Sequence, residues 1–414
     1  MRVYLRTFGC RANQYDGEAV RAMIEAEGGS VVRTPDEADV AVFNSCAVTS
    51  DAVADLRQQV RRAARANPSL RSVVMGCASA LPAETATLGA LPTVGALVAG
   101  GDLPAVASAL GIRADWTTTA RQAGARALLR IQDGCDEHCT FCATTLARGA
   151  HRSRPADALV EEARALARHH AEIVITGVHI GGWGREHDTT LGALVERLVR
   201  DVPQVRFRLT SIEATEVDDR LAELLTGAPG RVAPHLHAPL QSGSDRMLRR
   251  MGRHWYTSAR YAQAVERLTA RAPVFALSAD VITGFPGECD EDHGSTMALV
   301  RALPFTSLHV FPYSERPGTA AARLPERVSS RLSRARAAEL RDLGAAKAAA
   351  HRRGRVGGMA DVVVIGRDDA ARGLTEDYLE LALGAAVLRS TRFPATLVDR
   401  AGELTAEASG AVSR

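Results

Sequence analysis

Lysine is almost missing from this chain: Lys347 is the only one among 51 basic residues. So lopsided a choice reflects coding bias, and it removes the abundance of arginine as evidence for phosphate binding; only local clusters carry weight. Long apolar runs are missing too. No stretch approaches the ~20 residues that span a bilayer, and Met1-Arg2-Val3-Tyr4-Leu5-Arg6 turns polar too soon for a secretory signal. A cytoplasmic protein with no membrane partner is expected. An even set of cysteines is also lacking: there are seven, and six fall in two groups resembling metal ligands, which suits a reducing compartment better than a disulfide framework. What is present, 46% hydrophobic and 24% charged residues over 414 positions, describes a soluble globular chain of two or three domains. The net charge of +3 neither requires nor excludes RNA.

Three cysteines within eight residues dominate the pattern: Cys135, Cys139 and Cys142 in Cys-Asp-Glu-His-Cys-Thr-Phe-Cys. Their C-x3-C-x2-C spacing lets three thiolates converge, one short of the four ligands of a closed structural site, so an open coordination position is expected. Zinc with His138 as fourth ligand is the plainer reading, but His138 abuts Cys139 and turns inward beside it with difficulty. A ferredoxin run with its fourth cysteine is absent. The spacing, with Phe141 before the last cysteine, resembles the radical S-adenosylmethionine superfamily. That resemblance implies a [4Fe-4S] cluster on Cys135, Cys139 and Cys142 whose fourth iron chelates the amine and carboxylate of S-adenosylmethionine.

Ahead of this loop, apolar runs at Val3 to Phe8, Val40 to Phe43 and Val73 to Met75 alternate with helical periodicity, which predicts a parallel α/β sheet. Each run is followed by a cysteine, Cys10, Cys46 or Cys77. Ligands bind at the carboxyl ends of such strands, so the three can meet at one edge; the plain alternative is that small cysteines fill strand ends. Thr7-Phe8-Gly9-Cys10-Arg11-Ala12-Asn13-Gln14-Tyr15-Asp16, Asn44-Ser45-Cys46-Ala47-Val48-Thr49 and Gly76-Cys77 resemble the amino-terminal domain of the methylthiotransferases. The resemblance implies a second, auxiliary [4Fe-4S] cluster on Cys10, Cys46 and Cys77. This domain is expected over residues 1–112, with a linker, rich in threonine and small residues, over 113–125.

From 126 to 348, repeated β-α units predict a partial (β/α) barrel of radical S-adenosylmethionine type, with its site at the carboxyl ends of the strands. Expected strands are Ile173 to Gly177, Val205 to Leu209, His235 to Leu240, Phe275 to Ile282 and Leu308 to Phe311, with helices from Ala156 to His170, Leu191 to Arg200 and Ser258 to Arg271. Thr176-Gly177-Val178-His179, Ser211-Ile212-Glu213 and Leu240-Gln241-Ser242-Gly243 resemble family motifs, making Gly177, Glu213, Gln241 and Ser242 candidate contacts to the cofactor. His235 and His237 read as packing residues and Cys289 as a bystander. Relatives follow the third cysteine with a proline and an aromatic residue; here Ala143-Thr144-Thr145-Leu146-Ala147 leads to Arg148-Gly149.

The helical segment Ser329 to Arg355 is strongly basic, which fits either a solvated face or phosphate contacts. After it, short strands at Gly358 to Ile365, Tyr378 to Leu383 and Thr391 to Val398 predict a small β-barrel over 349–414. Gly373-Leu374-Thr375-Glu376-Asp377-Tyr378 resembles the signature of the TRAM RNA-binding module.

Ser211 to Val217 and His309 to Ser314 resemble the branch that methylthiolates C2 of N6-threonylcarbamoyladenosine beside the tRNA anticodon. The resemblance implies tRNA as partner, an electron donor such as a flavodoxin or ferredoxin, and a 5′-deoxyadenosyl radical that removes hydrogen from the base. It names no sulfur source. Rivals are methylthiolation of isopentenyladenosine or of a ribosomal-protein aspartate, and, in another class, a non-catalytic iron-sulfur RNA-binding or electron-transfer protein. A threonylcarbamoyl pocket needs a cation, and Arg148 is a candidate.

Overall fold

The computed structural model describes residues 1–47, 50–113, 121–366, 372–383 and 391–408, and all counts below are of these. The amino-terminal unit is a parallel five-stranded sheet in the order β2-β1-β3-β4-β5. Its strands are β1 Arg2–Thr7, β2 Ser30–Val32, β3 Val40–Ser45, β4 Arg71–Gly76 and β5 Val94–Ala99. β3 is buried along its whole length, as a central parallel strand covered on both faces must be. The three apolar runs are the central strands. The edges β2 and β5 escaped the sequence reading because one is three residues long and the other is half exposed. Since β1, β3 and β4 are neighbours, the turns after them place Cys10, Cys46 and Cys77 at one edge of the sheet.

The central unit contains β6 Ala127–Arg130, β9 Glu172–Thr176 and β10 Arg206–Leu209 in one parallel sheet. β11 His235–His237, β12 Ala276–Thr283 and β13 Ser307–Pro312 form another. Single parallel bridges, Phe207 to Val232 and Ser211 to His237, join the two into one arc, the partial barrel expected. The strand expected over His235 to Leu240 ends at His237, because Pro239 brings no N–H to the ladder. A two-stranded pair, β7 Gln132–Asp133 and β8 Arg152–Ser153, closes the base of the cysteine loop.

The helix Ser330–Arg355 leads to a closed barrel of β14 Met359–Ile365, β15 Arg372–Leu374, β16 Glu380–Ala382, β17 Arg392–Arg400 and β18 Glu403–Ala408. The linker positions 114–120 and the turn 367–371 lie outside the described residues. Among those described, no helix is long and apolar enough to cross a membrane.

Two features of this end are also used within the protein. Much of the basic helix is used internally: Arg336 bonds Glu288 and Asp290 at 2.7 Å each. Arg341 donates to the Val310 carbonyl, Lys347 to Arg301 and Leu303 carbonyls, and Arg355 to Asp377 and Glu376. The Gly373 to Asp377 part of the signature is likewise buried, while Tyr378 is 39% exposed. The fully buried Arg208 of β10 donates to the Thr375 and Glu376 carbonyls at 2.9 and 3.0 Å, and Arg206 reaches Asp361 on β14 at 3.1 Å. These buried charges are held by Glu172, so the small barrel is docked onto the partial barrel rather than tethered beside it.

Candidate active site

The amino-terminal cysteines stand on turns that require glycine. Gly9 has φ +89°, and a Cβ there would lie 2.6 Å from the Cys46 sulfur; Gly76 has φ +100° and would meet the Ser45 amide at 2.7 Å. Asn13, one helical turn past Cys10, laces the turns together. Its Nδ2 donates to the carbonyls of Phe8 at 3.1 Å and Ser45 at 2.6 Å, while its Oδ1 faces the thiols of Cys10 at 3.7 Å and Cys77 at 3.8 Å. Burial pushes the Cys77 thiol up to about 12, against the opposing pull of the nearby Arg148 guanidinium.

The second set stands over the carboxyl end of the partial barrel. Gln132 anchors this loop: its Nε2 donates to the Gly134 carbonyl at 2.6 Å, and its Oε1 accepts from the Val178 and His179 amides at 3.0 and 2.8 Å. The Gly177 turn is thereby tied to the cysteines, with no room for a side chain at Gly177, where a Cβ would lie 2.8 Å from the Gln132 carbonyl. Burial also pushes the Cys139 thiol up to about 12, opposed by Arg253, whose Nη1 lies 3.5 Å from its sulfur. Arg253 is held in turn by Glu213 and by the Tyr256 hydroxyl at 3.0 Å. His179, bonded to Cys135 and Glu216, is raised to about 10 although burial pulls it down.

Each set therefore joins a thiol, buried at Cys77 and partly buried at Cys139, to a buried arginine braced by carboxylate. A buried thiolate is costly unless positive charge faces it, and the two arginines and bound iron are of that kind. Among the described residues no three His, Cys, Asp or Glu side chains crowd round one point as a single ion requires. A cluster, whose thiolates each take a different iron, does not ask for that.

A cavity of about 870 Å³ opens beside the second set, lined by Phe141, Gln241, Ile282, Tyr313 and Arg316 and, from the amino-terminal unit, Asp51. The hydroxyl of Tyr313 on its wall has no partner, and neither does Oε2 of buried Glu213. Of the residues anticipated as cofactor contacts, Gln241 is on this wall, with φ +62°. The Ser242 hydroxyl is instead engaged with Thr296 at 3.3 Å and the Ser244 amide at 3.2 Å. Arg148 is no free cation: it is buried against Asp16 at 2.6 Å, Asn13 at 2.7 Å and Asp133 at 3.0 Å. Where relatives have a stiff turn, Thr144–Arg148 forms one turn of helix that carries Arg148 inward and leaves Leu146 exposed. Asn13, Gln132 and Arg253 were missed from sequence; Asn13 lies inside a quoted motif, while Arg253 has no local signal at all. A further cleft, about 1120 Å³, is lined by no cysteine and lies between β1 and β2 and residues 121–124 and 168–170.

Residues 2–98 match the family described as uncharacterized protein family UPF0004, and residues 129–300 match the radical SAM superfamily. The threonylcarbamoyladenosine tRNA methylthiotransferase of Rickettsia prowazekii is 34% identical over 83% of this chain and 83% of its own. The tRNA-2-methylthio-N(6)-dimethylallyladenosine synthase of Chlorobium limicola is 34% identical over 88% and 86%. The chain belongs to the radical S-adenosylmethionine methylthiotransferases. Among solved structures, the radical S-adenosylmethionine methyltransferase TsrM of Kitasatospora setae shares the fold, with TM-score 0.58 and 15% identity over 78% of this chain and 76% of that one. As a methylthiotransferase the protein is an enzyme, and its cofactors are S-adenosylmethionine and [4Fe-4S] clusters.

Proposed function

We propose that this methylthiotransferase replaces the C2–H of N6-threonylcarbamoyladenosine in tRNA by a methylthio group. The observation that carries the reading is the 34% identity, over most of both chains, to an enzyme whose name states that substrate. In this reading Cys135, Cys139 and Cys142 hold the cluster that takes S-adenosylmethionine, and Cys10, Cys46 and Cys77 hold the auxiliary cluster. When bound, these groups supply the electron and the radical that break the C2–H bond. The protein's own part is positional. Gln132 fixes the cysteine loop against the Gly177 turn, Gln241 and Tyr313 present polar groups to the cavity, and Arg253 with Glu213 sets the charge beside Cys139. Both units contribute to the walls of that cavity, with Asp51 of the amino-terminal unit near Arg316.

The units are taken as 1–112, 126–348 and 349–414 joined by the linker 113–125, although the helix runs past 348 to Arg355. We place phosphates of the tRNA on the exposed arginines Arg33, Arg121 and Arg168 of the cleft beside β1 and β2. A cytoplasmic setting and a flavodoxin- or ferredoxin-like donor follow from that substrate and chemistry. The dimethylallyl rival has the same identity, so the test is on nucleosides. In a strain lacking the gene, 2-methylthio-threonylcarbamoyladenosine should vanish from tRNA and return on complementation. Its persistence, with loss of the dimethylallyl product instead, overturns the reading.

A further inference from the structure

The lumen of the partial barrel holds its own cavity, about 390 Å³. It meets the cysteine-side cavity at Asp280 and Phe311, which line both. Its far wall is contributed by the small barrel: Tyr378 stacks on His235 with ring centroids 4.5 Å apart and accepts a hydrogen bond from Arg11 of the amino-terminal unit at 3.1 Å. The guanidinium carbons of Arg208 and Arg126 lie 5.0 and 5.7 Å from the centre of that ring. All three units thus meet around one space.

Its charge is out of balance. Buried Glu172 faces Arg206 at 2.6 Å, Arg208 at 2.9 Å and Arg126 at 3.4 Å, and Asp361 takes Arg206 and Arg392 at 3.1 and 3.2 Å. Four guanidiniums share two carboxylates before Arg11 is added. The next carboxylates offset part of this: Glu376 and Asp377 share the single guanidinium of Arg355, and Asp280 lies on the seam beside His237 at 3.3 Å, so that counting guanidiniums and carboxylates alone six of the first face five of the second. Burial, together with the neighbouring Arg206 and Arg126, lowers Arg208 despite Glu172. His235 is buried on the same wall, and its Nδ1 has no partner. Surplus cation in a low-dielectric lumen favours an incoming anion.

We propose that this lumen is the subsite for a carboxylate-bearing arm of the substrate base, the threonylcarbamoyl group, with Arg11 and Arg126 as the receiving cations. The proposal rests on the substrate reading above. C6, which carries the arm through its nitrogen, and C2, which receives sulfur, flank the same ring nitrogen of adenine. A base held beside the cysteines can therefore present C2 to them while the arm passes Asp280 and Phe311 into the lumen. An isopentenyl arm offers these cations no charge or hydrogen-bond acceptor.

The test uses the full chain and anticodon stem-loops carrying threonylcarbamoyladenosine as the free acid or as its neutral methyl ester, with Kd read by fluorescence anisotropy. The acid should bind wild type about tenfold more tightly than the ester, and Arg126→Gln and Arg11→Gln should each cut that ratio to about threefold or less with iron content unchanged. Equal affinity of wild type for acid and ester, or variants that keep the full ratio, overturns the subsite. The acid and ester comparison needs no variant, so it decides the matter even where a substitution fails to fold. Failure of the substrate reading looks different: reconstituted wild type would methylthiolate only an isopentenyl stem-loop.

Discussion

Arg148 Nη2 lies 2.7 Å from the Asn13 Oδ1 that also faces the thiols of Cys10 and Cys77. The same guanidinium binds Asp133, two residues ahead of Cys135, at 3.0 Å. One buried arginine therefore spans from one cysteine set to the loop of the other. Arg148→Gln should leave buried Asp16 with Arg130, at 2.5 Å, as its remaining cation and lower stability by about 1.5–3 kcal/mol. Arg148→Lys should recover only part of this, because lysine cannot reach three acceptors in a plane. Denaturant unfolding checks the ranking; equal stability of all three proteins would refute it.

The two cysteine sets should load independently. Reconstitution under anaerobic conditions should give about eight irons per chain, at four per three-cysteine site. Alanine at Cys10, Cys46 and Cys77 should halve the iron and leave S-adenosylmethionine cleavage in place, whereas alanine at Cys135, Cys139 and Cys142 should abolish cleavage. Iron and sulfide assays with detection of 5′-deoxyadenosine make the check, and one tight zinc without sulfide would overturn the assignment.

Removing residues after Val356 should not give a smaller protein that is otherwise intact. Arg206 and Arg208 would lose both the cover of the small barrel and their carbonyl and carboxylate partners on it, and each such charged hydrogen bond carries about 1.5–3 kcal/mol. A fall in melting temperature of roughly 10 °C is expected. An unchanged melting curve would show that the docking contributes little.

Asp377 supplies a pH test of the same docking. Burial works to raise it, but the hydrogen bond from His351, the Arg355 charge and the Thr375 hydroxyl hold it at about 2. A carboxyl whose folded pKa is depressed contributes stability above its unfolded pKa of roughly 3.9, and that contribution is lost as pH falls toward the folded value. Asp377→Asn should therefore cost on the order of 2 kcal/mol at pH 7. The gap from wild type should be full above about pH 4 and close toward pH 2. A gap independent of pH would mean that shape, not charge, is what the substitution disturbs.

The tRNA surface can be read by salt. Joint substitution of Arg33, Arg121 and Arg168 by Gln should weaken tRNA binding and flatten the dependence of log Kd on log salt by up to about 3 units of slope. Arg331, Arg334 and Arg352 of the carboxyl-terminal helix are the comparison set, and a larger effect there would restore that helix as the RNA contact.

Sequence alone determined the fold class and the turns on which the cysteines stand, because both are written in near neighbours. A glycine before Cys10 and Cys77, three-residue and two-residue gaps from Cys135 to Cys142, and strand runs ending at those cysteines are local requirements of turn geometry and metal ligation. What tertiary structure alone decided is the work of the arginines. Nothing near Arg148, Arg208, Arg253 or Arg336 distinguishes them from the many other arginines of a chain with one lysine. Each becomes specific only when folding buries it opposite a distant carboxylate: Arg148 opposite Asp16, Arg208 opposite Glu172, Arg253 opposite Glu213, Arg336 opposite Glu288. Desolvation then makes that partner obligatory, and so Arg336 and Arg355 of the basic helix and the buried part of the Gly373 to Tyr378 signature became contacts within the protein.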